Sequence, residues 1–152
     1  MKIAELIRST IEKKRLLHSL QSGQIEDLTI FADPARVEQI LGHLIQNAID
    51  ASAENQPITI SARRRDLSVA IEVADHGVGM SSEFIRTQLF KPFASSKQGG
   101  FGIGAYEARE LARAMNGRLE VESTLGVGSR FTLLLPLARH LAQEIPSDER
   151  AA

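Results

Sequence analysis

Four groups of residues in this 152-residue chain have types and spacings that could do chemistry. His43, Asn47 and Asp50 are four and three positions apart, which on a helix sets them along one stripe. An amide oxygen such as that of Asn47 is a hard ligand suited to Mg²⁺, an ion that keeps several waters and also binds phosphate oxygens. The His43 imidazole can take up a proton near neutral pH. On its own, such a stripe reads first as a solvated polar face.

The second group is Asp75-His76-Gly77-Val78-Gly79-Met80, directly after an apolar alternating run. A carboxylate fixed at a strand end can accept a hydrogen bond from an amine, and Gly77 and Gly79 let the backbone pass close to a flat ligand. Adenine fits, because its amine is a donor, whereas guanine presents an acceptor at that place. The plain alternative is a β-turn. The third group is Phe90-Lys91-Pro92-Phe93 followed by Ser95-Ser96-Lys97. Here aromatics anchor a loop, and Lys91 and Lys97 can offset phosphate charge. The fourth is Gly99-Gly100-Phe101-Gly102-Ile103-Gly104, running into a helix. Exposed backbone N–H groups at a helix N-terminus make a phosphate cradle. No Gly-Lys-Ser/Thr follows, so this is not a Walker A loop, and no strand precedes it, so it is not a dinucleotide fingerprint. A surface loop and a hinge remain the bland readings of these last two.

These groups need elements to hold them. The apolar spacing predicts a helix over residues 3–17 and a short strand at Leu28–Phe31. Asp33-Pro34 opens a second helix, with Asp at the N-cap and Pro at the first turn. Its apolar face is Val37, Ile40, Leu41, Leu44, Ile45 and Ala48, with Ile49 at the margin. Strands are expected at Ile58–Ala62 and Val69–Ala74, joined by a basic turn Arg63–Asp66. Residues 75–100 have no steady period and read as a long functional loop. A helix follows over 102–115, stopped by Asn116-Gly117. Leu119–Ser123 and Arg130–Leu135 close the pattern as a hairpin. Paired strands joined by tight turns imply a mixed, mostly antiparallel sheet. The fold class is therefore α+β, a two-layer α/β sandwich with three helices on one face.

Composition narrows the function. Lys+Arg number 18 against 19 Asp+Glu, a net charge of −1, which argues against a nucleic-acid partner. There is no cysteine, so disulfides, thiol catalysis and cysteine metal sites are excluded. Aromatics are 5% with no Trp, too few for a base-stacking platform. No apolar run is long enough to span a membrane, so a soluble, cytoplasmic chain without membrane contact is expected.

In order and spacing, the four groups resemble the GHKL ATPase superfamily over about residues 25–136. Asn47 matches the N box, Asp75, Gly77 and Gly79 the G1 box, Phe90 and Phe93 the F box, and Gly100, Gly102 and Gly104 the G2 box. Gly126-Val127-Gly128-Ser129-Arg130-Phe131-Thr132, ending in Leu135-Pro136, is similar to the family's last strands. The run His43–Ala51 resembles sensor histidine kinases, since the ATP-hydrolysing branch and the anti-sigma-factor serine kinases carry Glu where His43 stands. Phe101–Glu110 is similar to the PrsK group linked to exosortase/PEP-CTERM sorting.

The resemblance implies the Bergerat ATP-binding fold, with ATP and Mg²⁺ as cofactors. Asn47 is the implied metal ligand and, with His43 and Lys97, the implied catalytic set. Asp75, Gly77, Gly79, Asp50, Phe90, Lys91, Phe93, Gly100, Phe101, Gly102, Ile103, Gly104 and Thr132 are implied to bind nucleotide. The implied phosphoacceptor is a histidine followed by an acidic residue, but the four histidines here precede Ser19, Leu44, Gly77 and Leu141. The expected partner is thus a separate histidine phosphoacceptor and dimerisation domain, with a response regulator reached through a full-length, membrane-associated parent. On this view residues 1–22 lead in from that domain, 23–137 form the catalytic domain with a lid near 80–99, and 138–152 are a polar tail. A stand-alone serine kinase acting as an anti-sigma factor and a degenerate nucleotide-sensing docking module stay open as alternatives.

Overall fold

A computed structural model of the chain describes residues 1–14, 19–53, 55–92 and 104–138. The elements run α1 (Ile3–Lys14), β1 (Leu20–Ile25), α2 (Pro34–Ala51), β2 (Ile58–Arg65), β3 (Ser68–Ala74), α3 (Ser82–Phe84, continuing into a π-helical turn Ile85–Leu89), α4 (Ala105–Ala114), β4 (Arg118–Thr124) and β5 (Gly128–Pro136). One five-stranded sheet has the order β1-β2-β3-β5-β4. β1 runs parallel to β2 and every other pair is antiparallel. The sheet is mixed, and α1, α2 and α4 share one buried core with one of its faces.

Helix α2 begins as its sequence dictates. The Asp33 side chain accepts the Ala35 N–H at 3.0 Å, and Pro34 fills a position whose N–H would have no partner. Val37, Ile40, Leu41, Leu44, Ile45 and Ala48 are all buried against the sheet. Each large side chain taken from water adds about 1.5–3 kcal/mol before entropy is charged against it. Ile3, Ile7 and Ile11 of α1 enter the same core. A boundary at residues 22/23 therefore separates no second core, and it cuts through β1.

Three local expectations need correction. Leu28–Phe31 is not a strand of the sheet: Thr29 and Ile30 make only isolated bridges to Lys2 and Leu137. The edge strand is instead Leu-Gln-Ser-Gly-Gln-Ile at 20–25, where Leu20 alone is fully buried. An edge strand held by one neighbour and facing water has no apolar alternation to read. The basic run is not a turn either. Arg63, Arg64 and Arg65 extend β2, and the reversal is Asp66-Leu67, with Asp66 at φ 55°. Within the segment read as irregular, Ser81 caps α3 by accepting the Phe84 N–H at 3.0 Å.

The inner face of the sheet is built in rows across β3, β5 and β4. Ile71, Leu133 and Leu119 form one row, and Val73, Phe131 and Val121 the next. The pleat sends alternate residues to the opposite face. There Arg65 meets Glu120 at 2.9 Å, Arg118 meets Glu120 at 3.1 Å, and Arg130 lies 3.5 Å from Glu72. Charge thus lines the face that no helix covers among the described residues.

Candidate functional site

The inner-face rows end in a polar one: Asp75, Ser129 and Ser123. Asp75 continues the β3–β5 ladder, its N–H donating to the Ser129 carbonyl at 2.9 Å. Asp75 is buried, at 6% exposure. Its Oδ1 accepts the Gly77 N–H at 2.8 Å and the Ser129 N–H at 3.2 Å. Oδ2 makes no hydrogen bond among the described residues. The carboxylate is therefore gripped through one oxygen, leaving the other as an acceptor.

Glycine is required around it by close approach. A Cβ on Gly77 would run into the Ala51 carbonyl, at the end of α2. Gly79 has φ 71° and lies against the Thr124 carbonyl, and Gly128 has φ 145° and lies against the Asp75 carbonyl. Val78 donates to the Ala51 carbonyl at 3.1 Å and accepts from Gly126 N–H at 2.8 Å. The loop after β3 is thus stitched to the last turn of α2 on one side and to the β4–β5 turn on the other.

That stitch brings the helix stripe to the loop. Asn47 is half-buried, one turn before Ala51. Asp50 is exposed and accepts from Gln46 Nε2 at 2.9 Å. His43 lies one turn further back, half-buried, with Nε2 shut off from solvent. Phe90 is half-buried under the Arg109 guanidinium, whose centre is 4.5 Å from the ring centroid, while Lys91 is exposed. Gly104 caps α4 without a side-chain cap, and a Cβ there would stand 2.8 Å from Glu107 Oε2. Helix α4 reverses through Asn116-Gly117 into β4, so its N-terminus points toward the Thr124 end, the same end as Asp75. Phe93, Lys97, Gly100, Phe101, Gly102 and Ile103 lie outside the described residues.

Among the described residues, Thr132 is the predicted site residue that the structure sets elsewhere. It pairs with Glu72 and Glu120, so the pleat turns it to the charged outer face, opposite to Phe131 and Leu133. Ser129, three residues earlier, holds the position beside Asp75 instead. Ser129 and Ser123 were missed, although the inner stripes Leu133-Phe131 and Leu119-Val121 point to them at the next alternate positions.

Among the described residues, no three His, Asp or Glu converge on a metal position. An ion here would need the Asn47 amide together with oxygens from a ligand and water. A hollow of about 240 Å³ lined by Arg65, Ser68, Asn116 and Arg118 sits at the opposite end of β3, away from Asp75.

A buried, backbone-held carboxylate at a strand end, glycines packed on a helix terminus, and a second glycine-capped helix on the same side define a nucleotide-binding α/β sandwich. The chain belongs to the family described as histidine kinase-, DNA gyrase B-, and HSP90-like ATPase, which matches residues 32–139. It is 40% identical over 119 residues to the sensor histidine kinase MtrB of Mycolicibacterium paratuberculosis, covering 75% of this chain and 21% of that protein. It is 35% identical over 130 residues to the C4-dicarboxylate transport sensor protein DctS of Rhodobacter capsulatus, covering 83% and 19%. Among solved structures it resembles the catalytic domain of histidine kinase ThkA, with TM-score 0.75 and 29% identity over 90% of this chain and 93% of that one. Full-length ShkA in complex with AMPPNP matches with TM-score 0.77 and 27% identity, over 91% of this chain and 30% of that one. The chain spans about a fifth of the length of these curated relatives. It is an ATP-binding catalytic domain of the histidine-kinase type. Among the described residues no helix is long and apolar enough to cross a membrane.

Proposed function

We propose that this domain binds Mg–ATP and presents the γ-phosphoryl group to a histidine carried by a separate phosphoacceptor domain. The observation that carries the reading is Asp75, buried and held through Oδ1 by two backbone N–H groups, with Oδ2 left to accept from an exocyclic amine. Gly77 and Gly79 bring the backbone against the base, where any side chain would strike Ala51 or Thr124. The Asn47 amide oxygen, together with phosphate oxygens and water, supplies a hard donor set for Mg²⁺, which offsets phosphate charge when bound. Asp50 and His43 line the same helix stripe, where His43 holds a proton position next to the phosphates. Gly104 opens α4 toward the phosphates, and its first-turn N–H groups supply donors for them. Lys91 and Lys97 are assigned to offset phosphate charge, and Phe90, Phe93, Gly100, Phe101, Gly102 and Ile103 to nucleotide binding, a reading supported by their match to the family's boxes. The work is positioning and electrostatic stabilisation of an in-line transfer, with little covalent chemistry for the protein itself.

The nucleophile comes from outside residues 1–152, because none of the four histidines is followed by an acidic residue. In the parent, the acceptor domain dimerises and passes the phosphoryl group to a response regulator. This domain stays cytoplasmic and monomeric when separate. The test is to incubate the chain with labelled ATP, Mg²⁺ and a histidine phosphoacceptor domain. Acid-labile, base-stable label on that domain supports the reading. Acid-stable label on a serine would replace it with the serine-kinase reading, and failure to bind ATP at all would remove both.

A further inference from the structure

The outer face of the sheet carries a basic corner that the nucleotide site does not use. β3 and β5 lie between β2 and β4, yet Arg65 of β2 reaches Glu120 of β4, with Nη1 at 2.9 Å and Nη2 at 3.4 Å. The Arg65 stem therefore crosses the row Arg63, Ala70, Leu134, Arg118. This roof accounts for Ala70 and Leu134 being 2% and 4% exposed on a face where no described helix packs. Arg118 approaches from the other side, its Nη2 3.1 Å from the same carboxylate. Between the two guanidinium groups and the β2–β3 turn lies the hollow of about 240 Å³, lined by Leu134 and by Asp66, Ser68 and Asn116. The reversal after α4 is pressed onto it: Gly117 lies on the Leu134 carbonyl with no room for a side chain, and Asn116 ahead of it has φ 60°.

Two arginines thus share one carboxylate, and donors are left over. A guanidinium has five N–H groups. Glu120 takes two from Arg65 and faces one from Arg118. The Asn116 amide and the Ser68 hydroxyl make no hydrogen bond among the described residues. Of the charges lining the hollow, Arg65 and Arg118 stand against Glu120 and the exposed Asp66 of the turn. Two further cations sit at its edge: Arg64, whose Nε donates to the Asp66 carbonyl at 3.0 Å, and Arg63, which has no ion pair among the described residues. The balance of the corner is positive. We propose that this hollow is a binding site for a small oxyanion, a carboxylate or phosphate group on a short stem, at the end of β3 away from Asp75. The forked guanidinium groups match paired oxygens, the Asn116 amide adds a donor, and Leu134 takes the stem. The volume is room for roughly eight waters at about 30 Å³ each and falls below the roughly 300–1,000 Å³ of drug-sized ligand pockets, so the occupant is small. Glu120 holds both arginines in place while competing with the ligand for them.

The test titrates the isotope-labelled 152-residue chain with sodium phosphate and, separately, with sodium succinate, following amide shifts by NMR with sodium chloride at matched ionic strength as the control. Saturable shifts at Ser68, Asn116 and Gly117 support the site, and the anion with the lower midpoint identifies the source. Shifts at Gly77 and Gly104 report the nucleotide site separately, so binding there is not mistaken for binding here. Arg118→Ala leaves the Arg65–Glu120 pair intact and should raise the midpoint about fivefold or more, with Arg118→Lys recovering only part of the loss. Asn116→Gly suits φ 60° and should raise it about twofold. Glu120→Gln keeps the side-chain shape, removes the competing charge and should lower the midpoint roughly threefold. Arginines that are merely solvated give no such gain. Shifts that chloride reproduces, shifts that do not saturate, or a midpoint that Arg118→Ala leaves unchanged overturn the proposal. Should Glu120→Gln fail to fold, Arg118→Ala and Asn116→Gly decide it.

Discussion

Asp75→Asn separates binding from folding in a way the geometry makes quantitative. Both hydrogen bonds of the carboxylate use Oδ1, from Gly77 N at 2.8 Å and Ser129 N at 3.2 Å. Asparagine keeps a carbonyl oxygen there and so keeps both bonds. They weaken, because an acceptor loses charge, but a buried charge also disappears, and the two effects oppose each other. The net change in stability is about 0–2 kcal/mol, or up to roughly 8 °C in melting temperature for a chain of this size. Binding should suffer more. Oδ2 becomes an amide NH₂, so an acceptor for the adenine amine turns into a donor. A hydrogen bond to a charged group is worth about 1.5–3 kcal/mol, which corresponds to a loss of roughly 10- to 150-fold in affinity. Asp75→Ala is the control. It strands two buried N–H groups at about 1–3 kcal/mol each and should lower the melting temperature by roughly 5–20 °C. Calorimetry with a non-hydrolysable ATP analogue reads the first effect and thermal denaturation the second. An Asp75→Asn chain that binds the analogue within threefold of the unmodified one would refute the reasoning, as would an Asn variant as unstable as the Ala variant.

Other substitutions test other parts of the framework. Gly77→Ala drives a methyl into the Ala51 carbonyl and should cost about 1–3 kcal/mol by urea denaturation. Arg109→Ala and Phe90→Leu should be non-additive, with a coupling of about 0.5–2 kcal/mol in a double-mutant cycle on stability, since the guanidinium stacks on the ring at 4.5 Å. Asn47→Ala should leave the fold intact while abolishing the Mg²⁺-dependent part of nucleotide affinity; an unchanged Mg²⁺ dependence sinks the metal assignment. The Glu120 carboxyl is held below its ordinary value by its hydrogen bond from Arg65 and by the charges of Arg65 and Arg118. A lowered folded-state value contributes stability that is fully present above the usual carboxylate pKa of about 4.3 and is lost as pH falls from there through the lowered value. Glu120→Gln should lower stability slightly at pH 7, a small effect because the pair is partly exposed and screened, and should converge with the unmodified chain as pH falls below about 4.3; a stability difference that grows toward acid pH would contradict this.

The apolar patterns predict much of the architecture because burial writes period into sequence. Val37 to Ala48 read as a helix face and Val69, Ile71, Val73 as a strand face, and both lie where that reading expects. The β1 edge strand was not legible, since Gln21, Ser22, Gly23 and Gln24 bury no face and their ladder bonds to β2 leave no trace in side-chain type. The Leu28–Ile30 run misleads for the converse reason: Ile30 is buried and bridges Leu137, but its neighbours join no ladder. Within the candidate site, Asp75, Gly77 and Gly79 stood out by their spacing directly after the alternating run Val69–Ala74 and by their order relative to the other three groups, since Asp and Gly at a strand end alone read as a turn. Ser129 and Thr132 differ by parity. Small hydroxyl residues carry no signal for which face they take, and only the register Val73↔Phe131 decides it.

The two edges of the sheet have a consequence for how this chain behaves in a crowd. β1 offers its open side through Gln-Ser-Gly-Gln with a register shift between Ser22 and Ile25, and β4 offers its own through Arg118, Glu120 and Glu122. A strand of another molecule adding to β4 would have to accommodate that row of charge, and one adding to β1 would find a broken ladder and little apolar surface. Fibril-like stacking is thereby discouraged at both edges by the strands themselves. Association with neighbours is left to helix faces and loops, so crowding need not make the sheet a template for its own aggregation.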